Sequence, residues 1–260
     1  MSHPNHPPAP VVGRRQIVTY STTAQPSYAT QDLTPGDFLD PQPGDEFFHD
    51  DAHGVWVDYL ARGLRHLYRY NPAVGVLVGT KIAWEERSLA QPAPDLAVVA
   101  GLAAPRRQRD LFDVAAEGTR PRFILEVTSP ALAQIDLVDK VALYARAGVQ
   151  EYFILQPAAA QPGPAALSLL AYRLDQGVYT PIAPDAPGRL YSATNRIWFV
   201  VEPAVGVARP SDPAHSLRLV EERTGRAITP PAGETEPDAA IQVDAALRAQ
   251  SIAAQLNLGR

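Results

Sequence analysis

Two carboxylates stand where a core-building sequence would not place them. In Phe123-Ile124-Leu125-Glu126-Val127 apolar residues flank a glutamate, the pattern of a strand covered on both faces. Left unpaired, a buried carboxylate costs on the order of several kcal/mol or takes up a proton. Glu126 therefore needs a cation nearby: a metal, a lysine or an arginine, with Arg120 and Arg122 closest in sequence. Asp95, in Pro94-Asp95-Leu96-Ala97-Val98-Val99, is ordinary turn chemistry by itself. On a strand neighbouring that of Glu126 it gains a second meaning, because the two acids can then converge on one hard cation, an arrangement suited to phosphoryl transfer.

Lys140 follows Asp136 by four residues, so on a helix both project from one face. In a chain of 260 residues with 23 basic side chains, only Lys81 and Lys140 are lysine. A generic surface pair would more often have used arginine here, whereas a compact ammonium has specific chemical uses. The chain has no cysteine, which excludes disulfides, iron–sulfur clusters, zinc fingers and a thiol nucleophile. Any metal must sit on oxygen or imidazole, which favours magnesium or manganese. The net charge of −5 excludes a broad basic footprint, so contact with nucleic acid must be local. Candidates are Arg62, Arg65 and Arg69 on one side of a helix, and the Arg106, Arg107, Arg109 group. There is no apolar run near the ~20 residues of a membrane span, and MSHPNHPPAP lacks the pattern of a secretory signal. The expected location is the cytoplasm.

The elements that position these residues follow from periodicity. Residues 1–45, rich in proline, read as a loosely ordered arm with a short strand at Gln16–Tyr20. Val57, Leu60, Ala61, Leu64 and Leu67 predict an amphipathic helix over Asp50–Tyr70, stopped by Asn71-Pro72. A strand or hairpin is expected over 74–85, a strand over 95–100, an arginine-rich loop over 105–120 and a strand over 122–129. Leu137, Val141, Tyr144 and Ala145 predict a helix over 133–147 capped by Gly148. Strands are expected at 151–156, 166–174 and 196–201, a hairpin at Leu217–Ile228 and an alanine-rich helix at 239–258. Strand, helix and strand in succession is the βαβ signal for a partly parallel sheet.

Together, PDLAVV (94–99), FILEVTSP (123–130), Asp136-x-x-x-Lys140 and YARAGVQEYFILQP (144–157) resemble the Uma-type restriction endonuclease family of the PD-(D/E)XK nuclease superfamily. The resemblance spans roughly residues 45–203. It implies an α/β fold, a restriction-endonuclease-like mixed central β-sheet flanked by α-helices. The division would be an N-terminal arm (1–45), a nuclease-like domain (46–203) and a C-terminal hairpin and helix extension (204–260). It also implies that Asp95 and Glu126, with the Val127 carbonyl, hold Mg2+ or Mn2+. The superfamily's lysine usually stands two residues after the second acid, where this chain has Thr128; Lys140 would supply the ammonium from the following helix, with Asp136 before it. An acid or histidine of the first helix often completes such a site, and His53 is the candidate, with Asp51 and Glu46 behind it. Relatives tend to have an aspartate where this chain has Gln156.

The implied activity is metal-dependent endonuclease cleavage of phosphodiester bonds in DNA by a homodimer, with no membrane partner. A catalytically silent binding or assembly module on the same fold is the alternative. A two-carboxylate sugar hydrolase stands last, because no tryptophan neighbours Asp95 or Glu126.

Overall fold

In the computed structural model, residues 9–20, 26–49, 51–157, 167–203 and 215–229 are described. Their centre is a six-stranded mixed sheet. In chain order its strands are β4 (Val74–Val78), β6 (Leu96–Ala100), β8 (Pro121–Val127), β9 (Glu151–Gln156), β10 (Ser168–Asp175) and β11 (Val178–Pro181). They lie side by side in the order β11-β10-β9-β8-β6-β4. Only β8 and β9 are parallel, joined by the helical crossover that the sequence predicts. The fold is thus the expected mixed α/β class. Among the described residues no helix is long and apolar enough to cross a membrane.

Alternation along β8 sorts its side chains between two cores. Phe123, Leu125 and Val127 face a layer built from α1 (Asp51–Leu67) and a second antiparallel sheet, β12 (Arg189–Ser192), β13 (Ile197–Pro203) and β14 (His215–Glu221). Leu60 and Leu64 of α1, Phe199 and Leu219 close this layer. A sheet therefore covers part of a face that was expected to carry helices. On the other face Ile124 packs with Tyr144, Leu143 and Val149 around the crossover helix, and with Trp84 and Phe112. Glu126 shares that second face by the same alternation.

Three local expectations are corrected. The 74–85 segment is not a hairpin: Gly79, at φ 55°, turns the chain, and β5 (Lys81–Ala83) leaves the main sheet to pair in parallel with β7 (Leu111–Asp113). The supposed arginine loop thus contains β7 and a helical turn, α2 (Val114–Glu117), capped by the Asp113 carboxylate. The arm is ordered where described: β1 (Gly13–Tyr20) pairs with β2 (Pro26–Leu33) and with β3 (Asp45–Phe47). The arm is also tied down, by Arg15 to Asp45 and by Lys81, whose ammonium reaches Asp40 Oδ1 and the Pro41 carbonyl at 2.7 Å each. The predicted helix over 133–147 forms, with a π-helical turn at Ile135–Asp139 running into α3 (Lys140–Arg146) and Gly148, at φ 76°, following its end. The helix expected over 239–258 lies outside the described residues.

At the N-terminal end of β9, Glu151 is buried. It accepts hydrogen bonds from Ser192 Oγ, Thr194 Oγ1 and the Ala193 and Thr194 amides, and pairs with Arg173. It ties the central sheet to the turn between β12 and β13. Glu151→Ala strands these donors and is expected to cost about 3 kcal/mol, read as a lowered urea midpoint.

Candidate active site

The antiparallel register of β6 and β8 sets Leu96 opposite Leu125, which brings Asp95 opposite Glu126. Two cross-strand bonds fix the pair: the Asp95 amide donates to Glu126 Oε2 at 3.1 Å, and the Val127 amide donates to Asp95 Oδ2 at 2.7 Å. The turn preceding β6 is held by the Gly79 amide, which donates to the Pro94 and Asp95 carbonyls.

The crossover supplies the rest. Asp136 in the π-helical turn, Lys140 at the start of α3 and Tyr144 one turn later follow each other at four-residue steps, so one face carries all three. Lys140 Nζ lies 2.9 Å from Glu126 Oε1 and 2.9 Å from Asp136 Oδ1. The Tyr144 hydroxyl donates to Glu126 Oε1 at 2.8 Å. Tyr152 secures the π-helical turn by donating to the Asp136 carbonyl at 2.9 Å. From α1, His53 Nε2 sits 3.2 Å from Asp95 Oδ2, and His49 stacks on His53 with ring centroids 4.2 Å apart. A pocket of about 160 Å3 opens onto Asp95, Glu126, Val127, Asp136, Lys140 and His53. Phe38 of the arm and Phe47 of β3, ring centroids 3.9 Å apart, also line it.

Burial and charge push the acids apart. Burial alone would raise Asp95, but His53 and the Val127 amide outweigh it and hold the carboxyl below its usual range. Burial pushes Glu126 up to about 7, with Asp95 and Asp136 adding to the shift and Lys140 opposing it. Burial would lower Lys140, yet Asp136, Glu126 and Asp95 overcome this and keep its ammonium charged well above the usual value.

The structure thus gathers Asp95, Glu126, Val127, Asp136, Lys140 and His53. Thr128 is buried but turned away from the pocket: its amide bonds the Leu155 carbonyl and its hydroxyl the Ser129 carbonyl. Glu46 is exposed on β3 and does not line the pocket, and the Asp51 side chain lies outside the described residues. Tyr144, His49, Phe38 and Phe47 escaped the sequence reading. For Tyr144 the signal was present, as the third member of the series that begins at Asp136 and Lys140, but its spacing also fits the core.

The arginines divide differently. Arg62 pairs with Asp58 at 2.7 Å and Arg65 lies on α1. Arg69, Arg106 and Arg107 border another pocket, beyond the far end of β6. That end is five residues, about 17 Å, from Asp95. Arg109 is corrected as a nucleic-acid contact: its side chain is buried, engaging Glu117 at 2.7 and 3.1 Å and the Arg107 and Ala104 carbonyls.

The donor set fits a hard divalent cation. Asp95, Glu126 and Asp136 bring three carboxylates to one pocket, with Lys140 and His53 as the basic groups beside them. Among the described residues no three acid or histidine side chains form a ready metal cage, since Lys140 stands between Asp136 and Glu126. Two carboxylates completed by a carbonyl and water is the donor pattern that magnesium accepts.

A family model described as "Putative restriction endonuclease", Uma2, matches residues 46–200. The chain belongs to this family. No curated protein matches it. Among solved structures it is similar to a crystal structure described as a putative nuclease belonging to DUF820 from Anabaena variabilis. That match has 13% identity and a TM-score of 0.43, and covers 63% of this chain and 90% of that one. The Uma2 match encloses every residue of the pocket except Phe38 and Pro41 of the arm.

Glu126 makes stability depend on pH. Its folded value, about 7, lies above the ordinary 4.5 of the unfolded chain. Between them the folded state holds a proton that the unfolded state has lost. Its contribution is full below about pH 4.5 and is lost as pH rises through 7. Thermal unfolding of metal-free protein should show a decline on the order of 3 kcal/mol across that window. Glu126→Gln should flatten it.

Proposed function

We propose that this chain is a metal-dependent endonuclease that hydrolyses phosphodiester bonds in DNA. The observation carrying the proposal is the Lys140 ammonium lodged 2.9 Å from Glu126 while Asp95 faces the same pocket. Asp95, Glu126 and the Val127 carbonyl would hold Mg2+ or Mn2+, which supplies Lewis acidity at the scissile phosphate and a more acidic bound water. Every other role falls to the chain. Lys140, kept charged by three acids, orients the attacking water and offsets charge gathering on the phosphate. Asp136 positions Lys140 from the preceding helical turn. Tyr144 holds Glu126 at the oxygen that Lys140 also contacts. His53 keeps Asp95 ionised and oriented.

Phe38 of the arm and Phe47 of β3 would limit water on their side of the pocket when substrate is bound, which strengthens electrostatic contacts inside it. Cutting both strands of a duplex calls for two such sites, which a homodimer provides. The chain would act in the cytoplasm, on DNA housed there. Residues 46–203 form its nuclease domain, with 1–45 as an arm that shapes the pocket and 204–260 as an extension.

Supercoiled plasmid incubated with magnesium or manganese tests the reading. Wild type should nick it and EDTA should stop it. Glu126→Gln and Lys140→Ala should each lose about 100-fold or more in rate. Equal nicking by all three proteins would leave a binding module on a nuclease fold as the remaining account.

A further inference from the structure

A second pocket, of about 500 Å3, lies beyond the C-terminal end of β6 and is lined by Arg69, Tyr70, Pro72, Pro105, Arg106 and Arg107. Tyr70 is 85% exposed, and its ring belongs to neither core. The Arg69 guanidinium lies 4.6 Å from its ring centroid, over one face, and donates to the His66 carbonyl.

The opposite wall is built rather than incidental. Arg109 is spent internally: it neutralises Glu117 and clasps the Ala104 and Arg107 carbonyls, fixing the loop that carries Arg106 and Arg107. The loop also packs backbone against backbone at Gly75 of β4, where an added Cβ would lie 2.9 Å from the Pro105 carbonyl and 2.7 Å from Leu102. With Glu117 taken by Arg109, Arg107 reaches it only at 3.8 Å and remains two-thirds exposed. Arg106 is exposed and has no side-chain partner among the described residues. In an acidic chain this concentrates uncompensated guanidinium charge around one exposed aromatic face.

We propose that this pocket binds a single-stranded segment of nucleic acid, one base stacking on Tyr70 and the adjoining phosphates pairing with Arg106 and Arg107. A ring offered to solvent accepts any unpaired base on its π-face, and arginines beside it follow the backbone. Bases stacked inside a duplex cannot reach such a platform, so the pocket selects unpaired strand. It lies beyond the end of β6, which is itself about 17 Å from Asp95, so the gap is at least roughly five nucleotides of stacked strand at about 3.4 Å each. A strand held there reaches the proposed active site only if it runs on for several nucleotides. The inference rests on the nuclease reading for the fate of that strand, while binding itself needs no cleavage.

Fluorescence anisotropy with a labelled oligothymidylate of about 15 nucleotides, in EDTA, tests it. Tyr70→Ala and the double variant Arg106→Glu/Arg107→Glu should each bind about tenfold more weakly or worse. The double variant should also reduce the log–log salt slope by roughly 1.4, the share of two phosphate contacts on a single strand. Arg223→Glu/Arg226→Glu, the same charge change on the exposed turn after β14, should stay within about twofold of wild type. A blunt duplex of equal length should bind less tightly and ignore Tyr70→Ala. Unchanged affinity in the pocket variants, or an equal loss in the Arg223/Arg226 control, overturns the proposal. Plasmid nicking that depends on Glu126 and Lys140 would then still uphold the nuclease. Nicking indifferent to both, with pocket-dependent binding intact, removes the nuclease and keeps the binding site.

Discussion

The ammonium of Lys140, enclosed with Glu126 and Asp136, is the constraint around which this structure is arranged. A lysine so deeply buried is tolerated only where paired acids replace the water it has lost. Those acids come from two elements, a central strand and the π-helical turn preceding α3, so the pair ties the crossover to the sheet. Removing either partner would leave a buried charge, which is why Tyr144 and Tyr152 reinforce the same face with their hydroxyls. The π-helical turn belongs to this arrangement: a local widening of the helix within the segment that carries Asp136, in a setting where such turns recur at functional sites.

The same enclosure separates two chemically identical groups. Asp95, bonded to an amide and a histidine, stays ionised, whereas Glu126, among neighbouring acids, is driven toward neutrality near pH 7. Carboxyls pushed apart in this way are a recurrent feature of catalytic sites, and ion-pair networks of purely structural purpose also produce it. What separates the two cases here is access. The cluster opens to a pocket instead of being sealed in a core, and Phe38 of the arm and Phe47 of β3 line that pocket.

Charge of the other sign is kept at a distance. The arginines beyond β6 gather at the opposite end of that strand from Asp95, around Tyr70. Arg109 stands behind them as a fastener rather than a contact, its guanidinium planar fork matched to Glu117. One arginine-rich loop thus contains two physical roles, and burial assigns them. Glu151 has a parallel role at the start of β9, holding the second sheet in place without bordering the acidic pocket.

Sequence alone singled out Glu126, because a glutamate inside Phe-Ile-Leu-Glu-Val violates the rule that core strands are apolar, whereas Asp95 after Pro94 reads by itself as a turn and gained its meaning only beside Glu126. Sequence determined Lys140 with Asp136 as well, since four-residue spacing on a helix is a local property. The βαβ unit and the mixed sheet followed from periodicity, which is also local. Tertiary structure decided what depends on register and long-range pairing. Leu96 opposite Leu125 converts two distant acids into neighbours. The fold of the arm rests on the pairing of β1 with β3, Arg15 opposite Asp45 and Gly13 opposite Phe47, which no proline count reveals. Arg109 and Arg106 are chemically alike in the sequence, and only the carboxylate and carbonyls that packing brings to one of them divide buried anchor from exposed cation.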